Sequence, residues 1–309
     1  MSQLKDVVRL LRLPNLLVVA ATMLLVYYHV LRDAFAAGGV GRGVMSDWQF
    51  GELLGMTLLI TLAGYLVNDL RDFRIDEENR PGVNPIYRIG RPIVVFLYIT
   101  AVLVGWLLSI SLAFRLGERS LLFIYPLAVG TLTLYSVWLK KVPFVGNLIV
   151  ALFCAGVPGV LVLADRESLL ELFVLDAPLA ATTLQTCLLF MSFAFVATLL
   201  RELVKDIEDV RGDRAAGRRT LPVLLGEERS RWLAIGLGVL VILSMLTPVL
   251  LNWPTFRRPP MLATIAFLLL ALLVMLYQLT RARTQVDYGR LSSELKLFLL
   301  GGLCLLIFA

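Results

Sequence analysis

Apolar runs of roughly 20 residues recur along the whole of this 309-residue chain. A helix needs about that length to cross the hydrocarbon core of a bilayer. Residues 59% hydrophobic and 17% charged are too greasy a mix for a soluble protein of this size. The expected fold class is therefore all-α, a polytopic membrane bundle around one central cavity. Nine spans are expected, near 14–31, 50–69, 93–113, 120–138, 144–164, 180–200, 232–251, 261–280 and 295–309. No stretch of soluble-domain composition is long enough to form a second domain, so residues 1–309 are expected to act as a single transmembrane domain.

The charges fix an orientation. With the N-terminus inside, the segments 1–12, 71–92, 139–143, 201–231 and 281–296 carry 22 of the 29 Lys and Arg, and the outer loops carry 7. Positive residues favour the cytoplasmic side, so the N-terminus is expected in the cytoplasm and the C-terminus outside, in a prokaryotic inner membrane. The net charge of +6 is accounted for by this pattern and gives no reason to expect nucleic acid. The first apolar run is long and lacks a convincing cleavage site, so no signal peptide is expected. Pro143, Pro178 and Pro260 stand at span starts, where a missing N–H costs little, while Pro126, Pro158 and Pro248 lie within spans. Cys154, Cys187 and Cys304 all sit in apolar runs without paired spacing and are expected to be small buried hydrophobes. The single His29 supplies no clustered ligand set and is expected at the membrane interface of the first span.

One short segment occurs twice. Leu66-Val67-Asn68-Asp69-Leu70-Arg71-Asp72-Phe73-Arg74-Ile75-Asp76 ends the second span, and Leu203-Val204-Lys205-Asp206-Ile207-Glu208-Asp209-Val210-Arg211-Gly212-Asp213 ends the sixth. On a helix, Asn68, Asp72 and Asp76 line one face with Asp69 beside them, and Asp206, Asp209 and Asp213 repeat the steps. Acids beside a membrane core are costly and are rarely there without a task. Several carboxylates held together repel one another unless cations bridge them. Such hard oxygen ligands suit Mg²⁺, which completes its shell with water and substrate phosphates. The duplicated acids thus point to divalent cations and a polyphosphate shared by both copies.

At this level three readings compete. A secondary transporter also carries acids on repeated halves, but its sites lie near the bilayer midplane, whereas both copies here end spans on the same face. A CDP-alcohol phosphotransferase needs an Asp-Gly and an Ala-Arg at fixed offsets, and neither segment has them. A purely structural protein has no use for six aligned acids.

Asn68-Asp69-x-x-Asp72-x-x-x-Asp76 and Asp206-x-x-Asp209-x-x-x-Asp213 resemble the two signatures of the UbiA family of intramembrane prenyltransferases. The run from Arg201 to Asp213, continuing through Gly217-Arg218-Arg219-Thr220-Leu221-Pro222-Val223, is most similar to the geranylgeranylglycerol-phosphate geranylgeranyltransferase branch. Tyr135-Ser136-x-x-Leu139-Lys140-Lys141 with Gly146-Asn147 resembles that family's fourth-to-fifth span junction, and Arg12-x-x-Asn15 its entry to the first span. One stretch departs from it. Asn79-Arg80-Pro81-Gly82-Val83-Asn84-Pro85-Ile86-Tyr87-Arg88-Ile89-Gly90-Arg91-Pro92 replaces the usual continuation after the first signature, in a loop that borders the acceptor entrance.

The resemblance implies Mg²⁺-dependent transfer of a prenyl group, geranylgeranyl in this branch, from a prenyl diphosphate to a lipophilic acceptor among membrane lipids. Isoprenoid glycerol phosphates, aromatic quinone precursors and tetrapyrroles are the acceptor classes. It implies two Mg²⁺ ions, one on Asn68, Asp72 and Asp76 and one on Asp206, Asp209 and Asp213, with Asp69 a direct or supporting partner. Asp72, Asp76, Asp209 and Lys140 are the catalytic candidates. Arg12, Asn15, Tyr135, Lys140 and Lys141 are substrate-binding candidates, joined by the repeated pair Arg74 and Arg211. Tyr65, Tyr135 and Phe195, near the motif ends, are the candidates to face an allylic cation.

Overall fold

The computed structural model describes residues 2–41, 44–79 and 84–308, and within these the side chains of 2–4 and 74–79 are not described. In chain order the α-helices are α1 (Ser2–Leu10), α2 (Leu13–Leu25), α3 (Asp33–Ala37), α4 (Asp47–Asn79), α5 (Ile86–Ile89), α6 (Arg91–Leu116), α7 (Leu121–Val137), α8 (Val145–Ala164), α9 (Arg166–Leu175), α10 (Ala177–Ala215), α11 (Leu221–Leu225), α12 (Glu227–Leu250), α13 (Pro259–Arg281), α14 (Gln285–Gly302) and α15 (Cys304–Ile307). The described residues contain no strand, as the all-α expectation requires. Among them, seven helices are long and apolar enough to cross a membrane, and α7, at 17 residues, is a shorter apolar one. The protein is an integral membrane protein.

The predicted spans fall on helices, but their ends move. The ninth was expected from about 295, yet α14 starts at Gln285. Thr284 accepts from the backbone N–H of Asp287 while the Asp287 carboxylate accepts from that of Thr284, a reciprocal cap. The backbone N–H groups of Arg283 and Thr284, both donating to its carboxylate, hold the exposed Asp287 carboxyl below its ordinary range. Hydropathy stops at Arg290, Glu294 and Lys296; the helix does not. The cysteine expectation needs correction too. Cys187 is buried, but Cys154 and Cys304 are exposed on the protein surface. In a bilayer the apolar surroundings of a thiol can be lipid as well as protein. His29 is exposed and lies in a π-helical stretch, Val26–Arg32, that joins α2 to α3.

The chain divides into two compact units, one of residues 1–23 and 43–139, the other of 24–42 and 140–309. In the first, α4 packs on α6 and α7. Nothing in α4 breaks a helix before Pro81, so the helix runs on through the first acidic segment to Asn79. Around that end, buried Leu10, Leu66, Ile86 and Val94 join α1, α4, α5 and α6, with Leu62, Leu70, Phe73 and Tyr98 packed against them. Gly105 of α6 lets α7 come close. The Tyr125 ring occupies the space a Cβ at 105 would need, and its hydroxyl donates to the Ala101 carbonyl at 2.8 Å. Gly105→Leu is expected to cost about 1–3 kcal/mol through overpacking, read as a lowered Tm of the detergent-purified protein; an unchanged Tm would mean this contact is slack.

In the second unit α10 is the axis, packed on α8, α12 and α14. Its 39 residues make a rod of about 58 Å. It stops where Gly217 adopts φ +67° and the Arg218 N–H reaches back to the Asp213 carbonyl at 2.8 Å, a glycine-terminated helix end.

Candidate functional site

The first acid-bearing segment is helical throughout, so Asn68, Asp69 and Asp72 fall on consecutive turns of α4. All three are half-buried. The side chains of Arg74 and Asp76 lie outside the described residues. Asp69 accepts from the Arg12 guanidinium at 2.8 Å, which lies 4.7 Å from the centre of the Tyr65 ring, one turn back on α4. Arg12 stands at the corner between α1 and α2 with φ +47°, a left-handed value that costs a non-glycine residue and persists only when its surroundings hold it. Here the ion pair and the aromatic face do so. Two residues singled out separately in the sequence, a metal candidate and a substrate candidate, are thus one pair. A third contact was not foreseen: buried Asn84, just before α5, donates to the Asp69 carbonyl at 3.4 Å. Asn15, on the first turn of α2, and Tyr135, near the end of α7, are both half-buried.

The second segment is also helical, but its three acids have different surroundings. Asp206 is half-buried and accepts from the Asn147 side-chain amide of α8 at 2.8 Å. Asp209, one turn on, is exposed. Asp213 is 5% exposed and pairs with Arg218 at 3.3 Å across the helix end. The even ladder drawn from spacing is therefore graded: one acid held by a neutral amide, one open, one held by a cation. Arg211 is exposed on α10, and Phe195 half-buried. Lys140 and Lys141 sit in one 3₁₀ turn (Leu139–Lys141) before α8, Lys140 half-buried and Lys141 exposed.

Sequence reasoning passed over Glu202, one turn inward from Asp206 and paired with its neighbour Arg201. It quoted Asn147 without a role. The available signal was weak: a polar residue at the start of an apolar run.

Among the described residues, no three His, Cys, Asp or Glu side chains gather closely enough to hold a metal by themselves. That pattern suits Mg²⁺, which is commonly bound through one or two carboxylates, with phosphate oxygens and water supplying the rest. A thiolate- and imidazole-seeking metal would have no donors here. In donor chemistry the segments fit Mg²⁺ carried in with a phosphate ligand.

The UbiA prenyltransferase family model matches residues 30–300. Digeranylgeranylglyceryl phosphate synthase of Pyrococcus abyssi is 36% identical over 205 residues, spanning 64% of this chain and 66% of the relative. In structure, the chain is similar to digeranylgeranylglyceryl phosphate synthase in membranes, with TM-score 0.65 at 19% identity over 99% of this chain and 98% of the other. It is also similar to a UbiA homolog from Archaeoglobus fulgidus bound to GPP and Mg²⁺, with TM-score 0.52 at 14% identity over 98% and 99% of the two chains.

Proposed function

The chain belongs to the UbiA prenyltransferase family, and on that premise we propose that it transfers a geranylgeranyl group from its diphosphate to the hydroxyl of an isoprenoid glycerol phosphate. In this reaction the bond from the allylic carbon to diphosphate breaks, and a bond from that carbon to the acceptor oxygen forms. The hydroxyl proton leaves to water. The observation that carries this reading is the sequence likeness to a digeranylgeranylglyceryl phosphate synthase, together with two acid-bearing helices of the kind a magnesium diphosphate needs. Family membership leaves the carrier reading without support.

Asn68, Asp72 and Asp76 on α4, and Asp206 and Asp209 on α10, are the residues that would hold Mg²⁺, one ion to each segment. When bound, Mg²⁺ supplies the positive charge that stabilises the departing diphosphate. Asp69 acts through Arg12: the ion pair fixes the guanidinium, which donates to diphosphate oxygens. Lys140 and Lys141 add further donors, and Arg74 and Arg211 support the carboxylates. Asp213 holds the turn after α10 through Arg218, which leaves Asp206 and Asp209 to meet the cation. Asn15 supports the corner that carries Arg12. Tyr135 and Phe195 offer ring faces to the allylic cation and exclude water. The lysine and arginine bias supports a reading in which both acid segments face the cytoplasm from a prokaryotic inner membrane, with residues 1–309 as one functional domain.

The test is to incubate purified protein with labelled geranylgeranyl diphosphate, Mg²⁺ and separate acceptors. Product is expected with an isoprenoid glycerol phosphate and not with a hydroxybenzoate or a tetrapyrrole. Product confined to either of those two overturns the acceptor assignment.

A further inference from the structure

We infer that Asn147 is a positioning residue whose amide keeps an Asp206 carboxylate oxygen aimed for a cation. The inference rests on the reading of the α10 acids as a Mg²⁺ site. It starts from a contrast among three acids with resolved side-chain partners. Arg12 holds Asp69 at 2.8 Å, and Arg218 holds Asp213 at 3.3 Å. Both partners are cations, and a cation that neutralises a carboxylate weakens its pull on a metal ion. Asp206 is held at 2.8 Å by an amide instead. An amide N–H orients a carboxylate oxygen without cancelling the charge, and it leaves the other oxygen free to face a ligand. Groups in this supporting position set the angle and basicity of a metal-binding side chain.

The sequence builds the contact on rigid parts. Phe144, at φ +64°, turns the chain into α8, so Asn147 falls in the helix's first turn. Gly146, Ile149 and Ala151 are buried near the start of α8, and α8 packs on α10. On α10, buried Leu203, Val204, Ile207 and Val210 surround Asp206, so neither partner is on a loop. Glu202 lies one turn inward of Asp206 with Arg201 as its own partner. That pairing leaves Asp206 to the amide.

The experiment titrates Mn²⁺, followed by electron paramagnetic resonance, into detergent-purified full-length protein with inorganic pyrophosphate present and no prenyl substrate. Wild type, Asn147→Ala, Asn147→Gln and Asn147→Lys are compared, with circular dichroism melts as the check on folding. Asn147→Ala is expected to weaken Mn²⁺ binding by about 10–100-fold, the usual effect of removing a ligand-orienting group. Asn147→Lys, which offers a cation at the same place, should weaken it at least as much, and Asn147→Gln should recover part of the loss. In turnover, the Mg²⁺ concentration at half-maximal rate should rise more than kcat falls. Should Asn147→Ala fail to fold, Asn147→Gln and Asn147→Lys carry the comparison. Wild-type Mn²⁺ affinity in folded alanine and lysine variants would reduce the contact to helix packing and overturn the inference. A wild-type protein that takes up no Mn²⁺ with pyrophosphate would remove the metal reading itself, a distinct failure.

Discussion

Asp209→Ala is expected to slow prenyl transfer by about 10²–10³-fold or more, the scale of losing a group that stabilises developing charge, with Tm unchanged. The second half follows from exposure: Asp209 is on the surface of α10, and its removal opens no cavity. Asp72→Ala on α4 should reduce turnover equally, since half-buried Asp72 belongs to the other acid segment. Chelating divalent metal should produce the same loss in the wild-type enzyme, reversed by added Mg²⁺. Asp213→Ala is the contrasting case. It strands Arg218 at the end of α10 and should lower Tm, because Asp213 is 5% exposed and closes the helix end through that pair. Wild-type turnover in Asp209→Ala or Asp72→Ala would take that acid out of the cation site.

Arg12→Met is expected to raise KM for the prenyl diphosphate at least about tenfold, because a charge-assisted hydrogen bond is worth about 1.5–3 kcal/mol. It should also destabilise the protein. The guanidinium is gone from Asp69, whose side chain is 13% exposed, and from the face of Tyr65. The ion pair predicts non-additivity. Asp69→Asn added to Arg12→Met should cost less stability than the two single losses summed, with a coupling of about 0.5–3 kcal/mol. Additive stabilities in the cycle would mean that the pair does not hold Arg12 in place. Arg12→Lys should rescue poorly, since an ammonium neither stacks on a ring nor forks onto a carboxylate as a guanidinium does.

The sequence was readable where the physics is local. Span-length apolar runs announced the helices, and the i, i+4, i+8 spacing of Asn68, Asp72 and Asp76 suited a first acid segment that stays helical. A matched i, i+3, i+4 spacing did the same for Asp206 and Asp209. What could not be read was set by tertiary partners. Nothing in the order of residues says that Asp69 meets a cation 57 positions away, or that Asp206 meets an amide 59 positions away. These contacts turned equal-looking acids into unequal ones. The short helices α1, α5 and α11 escaped notice for another reason. Each has at most nine residues, too few for periodicity to declare itself, and isolated helices of that length gain little from propensity alone. The early start of α14 had a local signal, Thr284 and Asp287 three apart, that hydropathy cannot weigh.

α10 is about 58 Å long, and the hydrocarbon of a bilayer is about 30 Å thick. Nearly half of this mast must therefore stand in headgroups and water. Its greasy stretch, near 180–200, anchors it, and Asp206 and Asp209 ride above that waterline. On the proposed reaction, an expelled pyrophosphate would have no oil to cross, and the lengthened hydrocarbon product would stay behind in the lipid that already dissolves it.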